Sequence, residues 1–303
     1  MGTSTIACAK PRLLMGFPAL AAHNRYRGIA GADSRTQRIC SPAGLHRRPW
    51  LARLRRALAL DLFVLHYQPI VSLVDGRVAH HEALVRLADE PAGAVIGPAS
   101  FLPAAERYGL VREIDRMVLD KVVALLGCQP EAQDSAIAMN LSALSLMDGD
   151  MLAHIQRGLE RHHVDPARLI LEVTETASIS DMDRARAFCA GAQRLGCAVA
   201  LDDFGAGFGS FHYLKHLPFS YLKIDGAFIR GLPDSAHDQL VVKALVGLVR
   251  EMGQRTIAEF VGDLQTLALL REFGVDFAQG FHVGRPRAEL AGRADAGVAL
   301  HGV

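Results

Sequence analysis

Two adjacent carboxylates, Asp202-Asp203, end the apolar run Ala198-Val199-Ala200-Leu201 and are followed by glycines at 205, 207 and 209. Successive strand residues point to opposite faces, so both can serve one site only if the strand stops there and the backbone turns. The glycines permit such a turn. A phosphate-cradling loop is the competing reading, but G-x-G-x-x-G needs glycine at position 210, where Ser210 stands, and would not place two anions beside a phosphate. The stretch is read as a metal-binding corner, with an acidic solvated turn as the plain alternative until other segments supply partners. Partners exist: Asn140, Glu172, Asp202, Lys223, Glu259 and Gln279 each lie at or near the end of a different strand-like run. Glu82 and Arg86 share a face of another run about 13 Å apart. A carboxylate deep and a guanidinium nearer the rim suit a metal below a phosphate-bearing ligand; a strand with a snorkelling arginine is the plain alternative.

The elements that must position these residues follow from periodicity. Leu51, Leu54 and Leu58 recur at helical spacing from Pro49 to near Asp61. Strand patterns at Phe63–Leu73 and Val78–Arg86 flank Asp75-Gly76, a tight-turn pair, which predicts an antiparallel hairpin. Helices are expected at Ser100–Tyr108, Asp115–Leu126, Leu146–His162, Asp183–Leu195, Gln239–Met252 and Leu264–Phe273. In the Gln239–Met252 helix, Leu240, Ala244, Leu245, Leu248 and Met252 form one face, closed by Gly253. The remaining strands are expected at Ile137–Leu141, Leu169–Thr174, Ala198–Leu201, Tyr221–Ile224, Thr256–Glu259 and Val275–Gln279. Eight short strands mostly separated by helices predict a closed α/β barrel rather than an open doubly wound sheet, and strand ends converge on one face of a barrel.

Composition narrows the class. At 303 residues and 50% hydrophobic, the chain can bury a large core. Its five cysteines are odd in number and scattered, with no C-x-x-C pair, as expected of reduced thiols in a cytosolic protein. No apolar run reaches the roughly 20 residues that span a bilayer, and the weakly signal-like residues 13–22 are broken by Gly16 and Pro18. The net charge of +1 divides into +7 for residues 1–48, from eight Lys/Arg and Asp33, and −6 for the rest. That basic arm has neither an apolar stripe nor interleaved aromatics, so it is expected to be a poorly ordered extension rather than a DNA- or RNA-binding element.

The ordered motifs are Tyr67-Gln68-Pro69-Ile70, Glu82-Ala83-Leu84-Val85-Arg86, Asn140-Leu141-Ser142, Glu172-Val173-Thr174-Glu175, Asp202-Asp203-Phe204-Gly205, Lys223-Ile224-Asp225, Ala258-Glu259 and Gln279-Gly280-Phe281 with Pro286. In this order they resemble the EAL-domain phosphodiesterases, which hydrolyse the bacterial second messenger cyclic di-GMP. The resemblance implies a modified (β/α)8 TIM-like barrel with an antiparallel first strand over residues 49–290, between the arm and a tail at 291–303. It implies that Glu82, Asn140, Glu172, Asp202 and Asp203 ligate two Mg2+ or Mn2+ ions, with Glu259 completing the set or acting as base. All-oxygen donors suit such hard cations and argue against zinc. One activated water would attack a phosphodiester in line to give the linear dinucleotide, with Glu82, Glu259 and Lys223 in the catalytic machinery. Gln68, Arg86 and Gln279 would contact substrate, with Asp225 orienting Lys223 beside them. Glu175 would anchor the loop after Asp202-Asp203. A homodimer is implied as well.

The chain also departs from the family pattern. Gly262 stands where a second glutamate is usual, Phe260 where glycine is usual, and Ala206, Phe208 and Gly209 replace Thr, Tyr and Ser. Leu87 replaces a common Trp, a change read as neutral, and the others carry the weight. These departures keep two other readings open: a catalytically weak receptor for cyclic di-GMP, and a protein-interaction module. His80 and His81 are expected as one packed and one outward residue on a strand. His282 is expected at the surface. Phe101, Phe204, Phe208, Phe211 and Phe281 are read mainly as packing residues.

Overall fold

The computed structural model describes residues 48–89, 94–128, 135–174, 181–205 and 210–290. The basic arm, the tail, Glu175 and residues 206–209 lie outside them. In chain order the elements are α1 (Arg48–Ala59), β1 (Phe63–Ser72), β2 (Val78–Asp89), β3 (Ala94–Ile96), α2 (Leu102–Arg107), α3 (Val111–Cys128), β4 (Ala136–Leu141), α4 (Ala143–Leu146), α5 (Met151–His162) and β5 (Leu169–Thr174). They continue as α6 (Met182–Arg194), β6 (Ala198–Phe204), α7 (Ser210–His216), β7 (Tyr221–Ile224), α8 (Gly226–Ile229), α9 (Ala236–Glu251), β8 (Arg255–Ala258), α10 (Leu264–Phe273) and β9 (Phe277–Gln279).

The described strands form one sheet in the order β1-β9-β8-β7-β6-β5-β4-β2-β3, closed by pairing of β1 with β2. β1 runs antiparallel to both its barrel neighbours, β2 and β9, while the pairs from β2 and β4 round to β8 and β9 are parallel. The expected α/β barrel with its antiparallel first strand is therefore present, and Gly76 turns the hairpin at φ 72. β3 was not expected; it pairs antiparallel with the end of β2, outside the eight barrel strands.

The barrel interior has two layers, and period two fixes both. The lower layer is a small apolar cluster of Ile70, Ala138, Ile170, Ala200, Tyr221, Ile257 and Phe277. His80 packs among it, its ring 5.5 Å from those of Tyr221 and Phe277. Two residues along each strand stand Gln68, Glu82, Asn140, Glu172, Asp202, Lys223, Glu259 and Gln279. In six strands the polar residue follows an apolar partner and in β2 it follows His80; in antiparallel β1 it precedes its partner, as the reversed direction requires. The alternate residues, such as Leu171, Val173, Val199, Leu201 and Leu222, face outward into the large core shared with the helices.

Several local expectations are corrected. The predicted Leu146–His162 helix is two helices, α4 and α5, and α5 begins at Met151. The predicted Ser100–Tyr108 helix begins as a 3-10 turn at Pro98–Ser100, and α2 proper covers Leu102–Arg107. In α9 the buried face is Val242, Leu245, Val246 and Val249. Leu240, Leu248 and Met252 of the predicted stripe are exposed, because the barrel meets the helix on its valine-rich side. His80 and His81 are both buried, since the outer face of β2 is covered as fully as the inner one. Leu87 fills the outer core with no exposure. Cys189 and Cys197 are buried free thiols. Among the described residues, no helix is long and apolar enough to cross a membrane.

Candidate active site

The upper interior layer opens at the C-terminal ends of the parallel strands, where eight polar side chains converge. Lys223 sits at the centre with 1% exposure. Its Nζ lies 2.9 Å from Asp202 Oδ1, 3.0 Å from Glu259 Oε1, 3.2 Å from Glu172 Oε2 and 3.6 Å from Glu82 Oε2. One ammonium thus faces four carboxylates in a water-poor interior, where their mutual repulsion is strong.

Two amides fix Glu82. Asn140 Nδ2 donates to Oε1 at 2.7 Å and Gln279 Nε2 donates to Oε2 at 2.5 Å. Gln279 also donates to Gln68 Oε1, and Gln68 Nε2 donates to the Gly284 carbonyl at 3.0 Å, tying the site to the rim. Arg86 lies farther up the same face of β2, partly buried, with Nη1 donating to the Val85 carbonyl.

Asp203 reaches the mouth by an unexpected route. β6 does not stop at Leu201 but continues to Phe204, with a register shift between Leu201 and Phe204 against β7. Within it Asp203 takes the left-handed conformation at φ 55, and Gly205 follows at φ 101. This bulge, rather than a turn after the strand, cancels the alternation that would aim the second aspartate outward. Carboxylate oxygens of Asp202, Asp203 and Glu259 lie within 4.8 Å of one another. Asp203 is partly exposed, whereas Asp202 and Glu259 are buried.

Proton affinities follow from this crowding. Burial raises Glu82, but the Lys223 charge and the Gln279 and Asn140 amides outweigh it and hold the group below its ordinary value. Burial, then the Glu82 charge, pushes Glu172 well up. Burial, reinforced by Asp202 and Glu82 against the pull of Lys223, raises Glu259 to about 8. Burial and Asp202 raise Asp203 to about 6. Lys223 is held firmly protonated: burial works to lower it, and the surrounding carboxylates more than reverse that.

The donor set fits hard divalent cations. Glu172 Oε1, Glu259 Oε2 and Gln279 Oε1 are buried without a hydrogen-bond partner, which is costly for such atoms unless something electropositive meets them. With all groups ionised, Glu82, Glu172, Asp202, Asp203 and Glu259 contribute −5 and Lys223 +1, leaving −4, the charge that two divalent cations neutralise. Only oxygens are offered.

Other sequence candidates have different places. Asp225 makes no ion pair with Lys223 among the described contacts; its carboxylate caps α8 by accepting from Ala227 N at 2.8 Å. A side chain two residues from Lys223 on a strand shares its face only while the strand lasts, and β7 ends at Ile224. His282 is exposed, as expected, while Phe101 and Phe204 are buried packing residues and Phe281 is 60% exposed. The anchoring role read for Glu175 lies outside the described residues.

A barrel with one antiparallel strand and an acidic, all-oxygen site at its mouth defines a class of metal-site proteins, and comparison narrows it. A model of the EAL domain matches residues 51–286. The chain belongs to the EAL-domain family. It is 36% identical over 240 residues to cyclic di-GMP phosphodiesterase PdeB of Shewanella oneidensis, covering 78% of this chain and 28% of that protein. It is 37% identical over 235 residues to the bifunctional diguanylate cyclase/cyclic di-GMP phosphodiesterase MucR of Pseudomonas aeruginosa, covering 77% of this chain and 34% of MucR. The chain therefore spans about a third of the length of these curated relatives. A solved structure of the MucR phosphodiesterase in complex with cyclic di-GMP superposes with a TM-score of 0.74 at 37% identity, covering 79% of this chain and 97% of that one.

Proposed function

We propose that the chain hydrolyses cyclic di-GMP to the linear dinucleotide pGpG, with two Mg2+ or Mn2+ ions held by Glu82, Asn140, Glu172, Asp202, Asp203 and Glu259. The observation that carries this reading is the cluster of buried, unpartnered site oxygens around a single lysine, a charge balance that asks for cations. Bound there, the cations supply Lewis acidity that polarises the scissile phosphoryl group and the attacking water. Glu259, buried beside Lys223 and the Asp202-Asp203 corner and ionised once cations bind, is placed to accept the proton of that water. Lys223, permanently charged, donates toward the phosphoryl oxygens as negative charge builds on them. Gln68 and Gln279 form an amide pair that positions Glu82 and borders the substrate, while Arg86 meets a phosphate at the rim. Asp225, its carboxylate held by the α8 cap, would border the substrate rather than orient Lys223. The reading includes a homodimer and a location in the cytoplasm.

The second reading, a receptor that binds without turnover, draws on Phe260 at the mouth. Incubation of the protein with cyclic di-GMP and Mg2+ or Mn2+, following pGpG and binding together, separates the two. Turnover that falls at least about a thousandfold in Glu82→Ala is the expected result, in line with loss of a group fixed by three polar partners. Tight binding with no turnover in the parent protein would replace the enzyme by the receptor.

A further inference from the structure

Phe260 follows Glu259 directly and is the residue at the mouth whose conformation least suits its type. Its φ is 55, in the left-handed region that favours glycine, and 49% of its surface is exposed. A bulky residue is held in such a conformation only where its surroundings determine it. The surroundings here are built around the ring. Gly226, at the start of α8, makes room for it: a Cβ there would come within 2.4 Å of Phe260 Cδ2. Arg230, one turn along, lays its guanidinium 3.9 Å from the ring centroid. Among the described residues Arg230 makes no ion pair, so its charge remains available to an anion.

The adjacent rim segment repeats the device. Val261 N donates to the Gln279 carbonyl and His282 N to the Val261 carbonyl, so 259–262 and 279–282 run side by side along the mouth. Gly280 permits that approach, since a Cβ there would fall 2.2 Å from the Val261 carbonyl oxygen. On this second segment Phe281 is exposed, with the Arg285 guanidinium 4.3 Å from its ring. Two aromatic rings, each carrying a guanidinium, thus flank a site read as accepting a diester with two purine bases. Exposed aromatic faces and guanidinium planes are what single, unpaired bases stack on.

We propose that the Phe260–Arg230 stack is a specificity element of this chain that contacts a guanine base and the neighbouring phosphate of the substrate. This rests on the cyclic di-GMP reading above. The tests are Phe260→Gly, Phe260→Tyr and Arg230→Ala, assayed for kcat and KM on cyclic di-GMP, with melting temperature alongside. Phe260→Gly should raise KM about tenfold, the effect expected of losing one base stack, and leave kcat within about twofold. Its melting temperature should stay level or rise, since glycine suits φ 55. Phe260→Tyr should keep the parent KM, and Arg230→Ala should raise it with little change in kcat. A parent that turns over cyclic di-GMP while Phe260→Gly retains its KM, or loses kcat instead, overturns the inference and leaves the function standing. A parent that neither binds nor hydrolyses cyclic di-GMP overturns both.

Discussion

Removing divalent cations should make this protein lose stability as pH rises above neutrality. Glu259 is the main cause, because burial and its acidic neighbours raise it from the ordinary 4.5 to about 8. Between those values the folded state holds a proton that the unfolded chain has released, so the contribution is full at low pH and is lost as pH rises through about 8. His80 acts in the opposite sense: burial first, then the Lys223 charge, lowers it from 6.5 to about 3. Its contribution climbs through that window and is complete above it. Between pH 5 and 6.5 the two nearly cancel, and Asp203, raised to about 6, makes stability fall modestly across that window. From pH 6.5 to 8.5 Glu259 loses roughly 2 kcal/mol and His80 returns a small part of it, a net fall on the order of 1–2 kcal/mol. Glu172, raised in the same sense, steepens the fall; Glu82 is lowered and Lys223 raised, so both titrate outside the window. For a domain of this size the fall amounts to roughly 3–6 °C of melting temperature. Thermal melts by circular dichroism in EDTA, stepped from pH 5 to 8.5, measure it directly. Saturating Mg2+ should abolish the slope, because cations favour the ionised carboxylates. A melting temperature in EDTA that is flat or rising from pH 6.5 to 8.5, or a fall undiminished in Glu259→Gln, would refute the reasoning.

Two substitutions test the backbone around the site. Gly205→Ala should destabilise the protein by about 2–4 kcal/mol in urea titration, because φ is 101 there and an added Cβ would lie 2.2 Å from the Phe228 ring; a loss below about 1 kcal/mol would show that the bulge after Asp203 is soft. Gly262→Glu supplies the acidic group that the resemblance to relatives leads one to expect, and the nearest atom to its Cβ, the Phe260 carbonyl oxygen, is 3.9 Å away. It should leave stability within about 0.5 kcal/mol and lower the Mg2+ concentration for half-maximal turnover by up to about tenfold; an unchanged metal dependence would exclude position 262 from organising the site.

Most of the barrel was legible because its strands are short, separated by amphipathic helices, and punctuated by turn residues such as Asp75-Gly76. What misled was local and has physical causes. α9 is apolar nearly all round, so its sequence does not say which side the barrel covers, and the exposed Leu240, Leu248 and Met252 outweighed Val242 and Val249 in the pattern. His80 and His81 look amphipathic in sequence, yet a barrel strand buries both faces. The strand-end rule found six site residues but could not find Gln68, which lies two residues before Ile70 rather than after it because β1 runs the other way. Once the direction of β1 is known, the same period-two rule places it. The bulge at Asp203 had a sequence signal, two adjacent acids before glycines, but only the register shift tells a bulge from a turn.

The two interior layers explain why this site can hold so much like charge. A chain that folds around four buried carboxylates needs some counter-charge before any cation binds, and Lys223 supplies it from β7, directly above Tyr221 of the apolar floor. One ammonium cannot satisfy them all, which leaves Glu172 Oε1 and Glu259 Oε2 without hydrogen-bond partners. Full neutralisation by a second lysine would make a quieter core and remove the reason for a cation to enter. The interior is therefore balanced short of neutrality, and the shortfall, concentrated where Asp202, Asp203 and Glu259 approach one another, is the binding energy that the site holds in reserve for its metal.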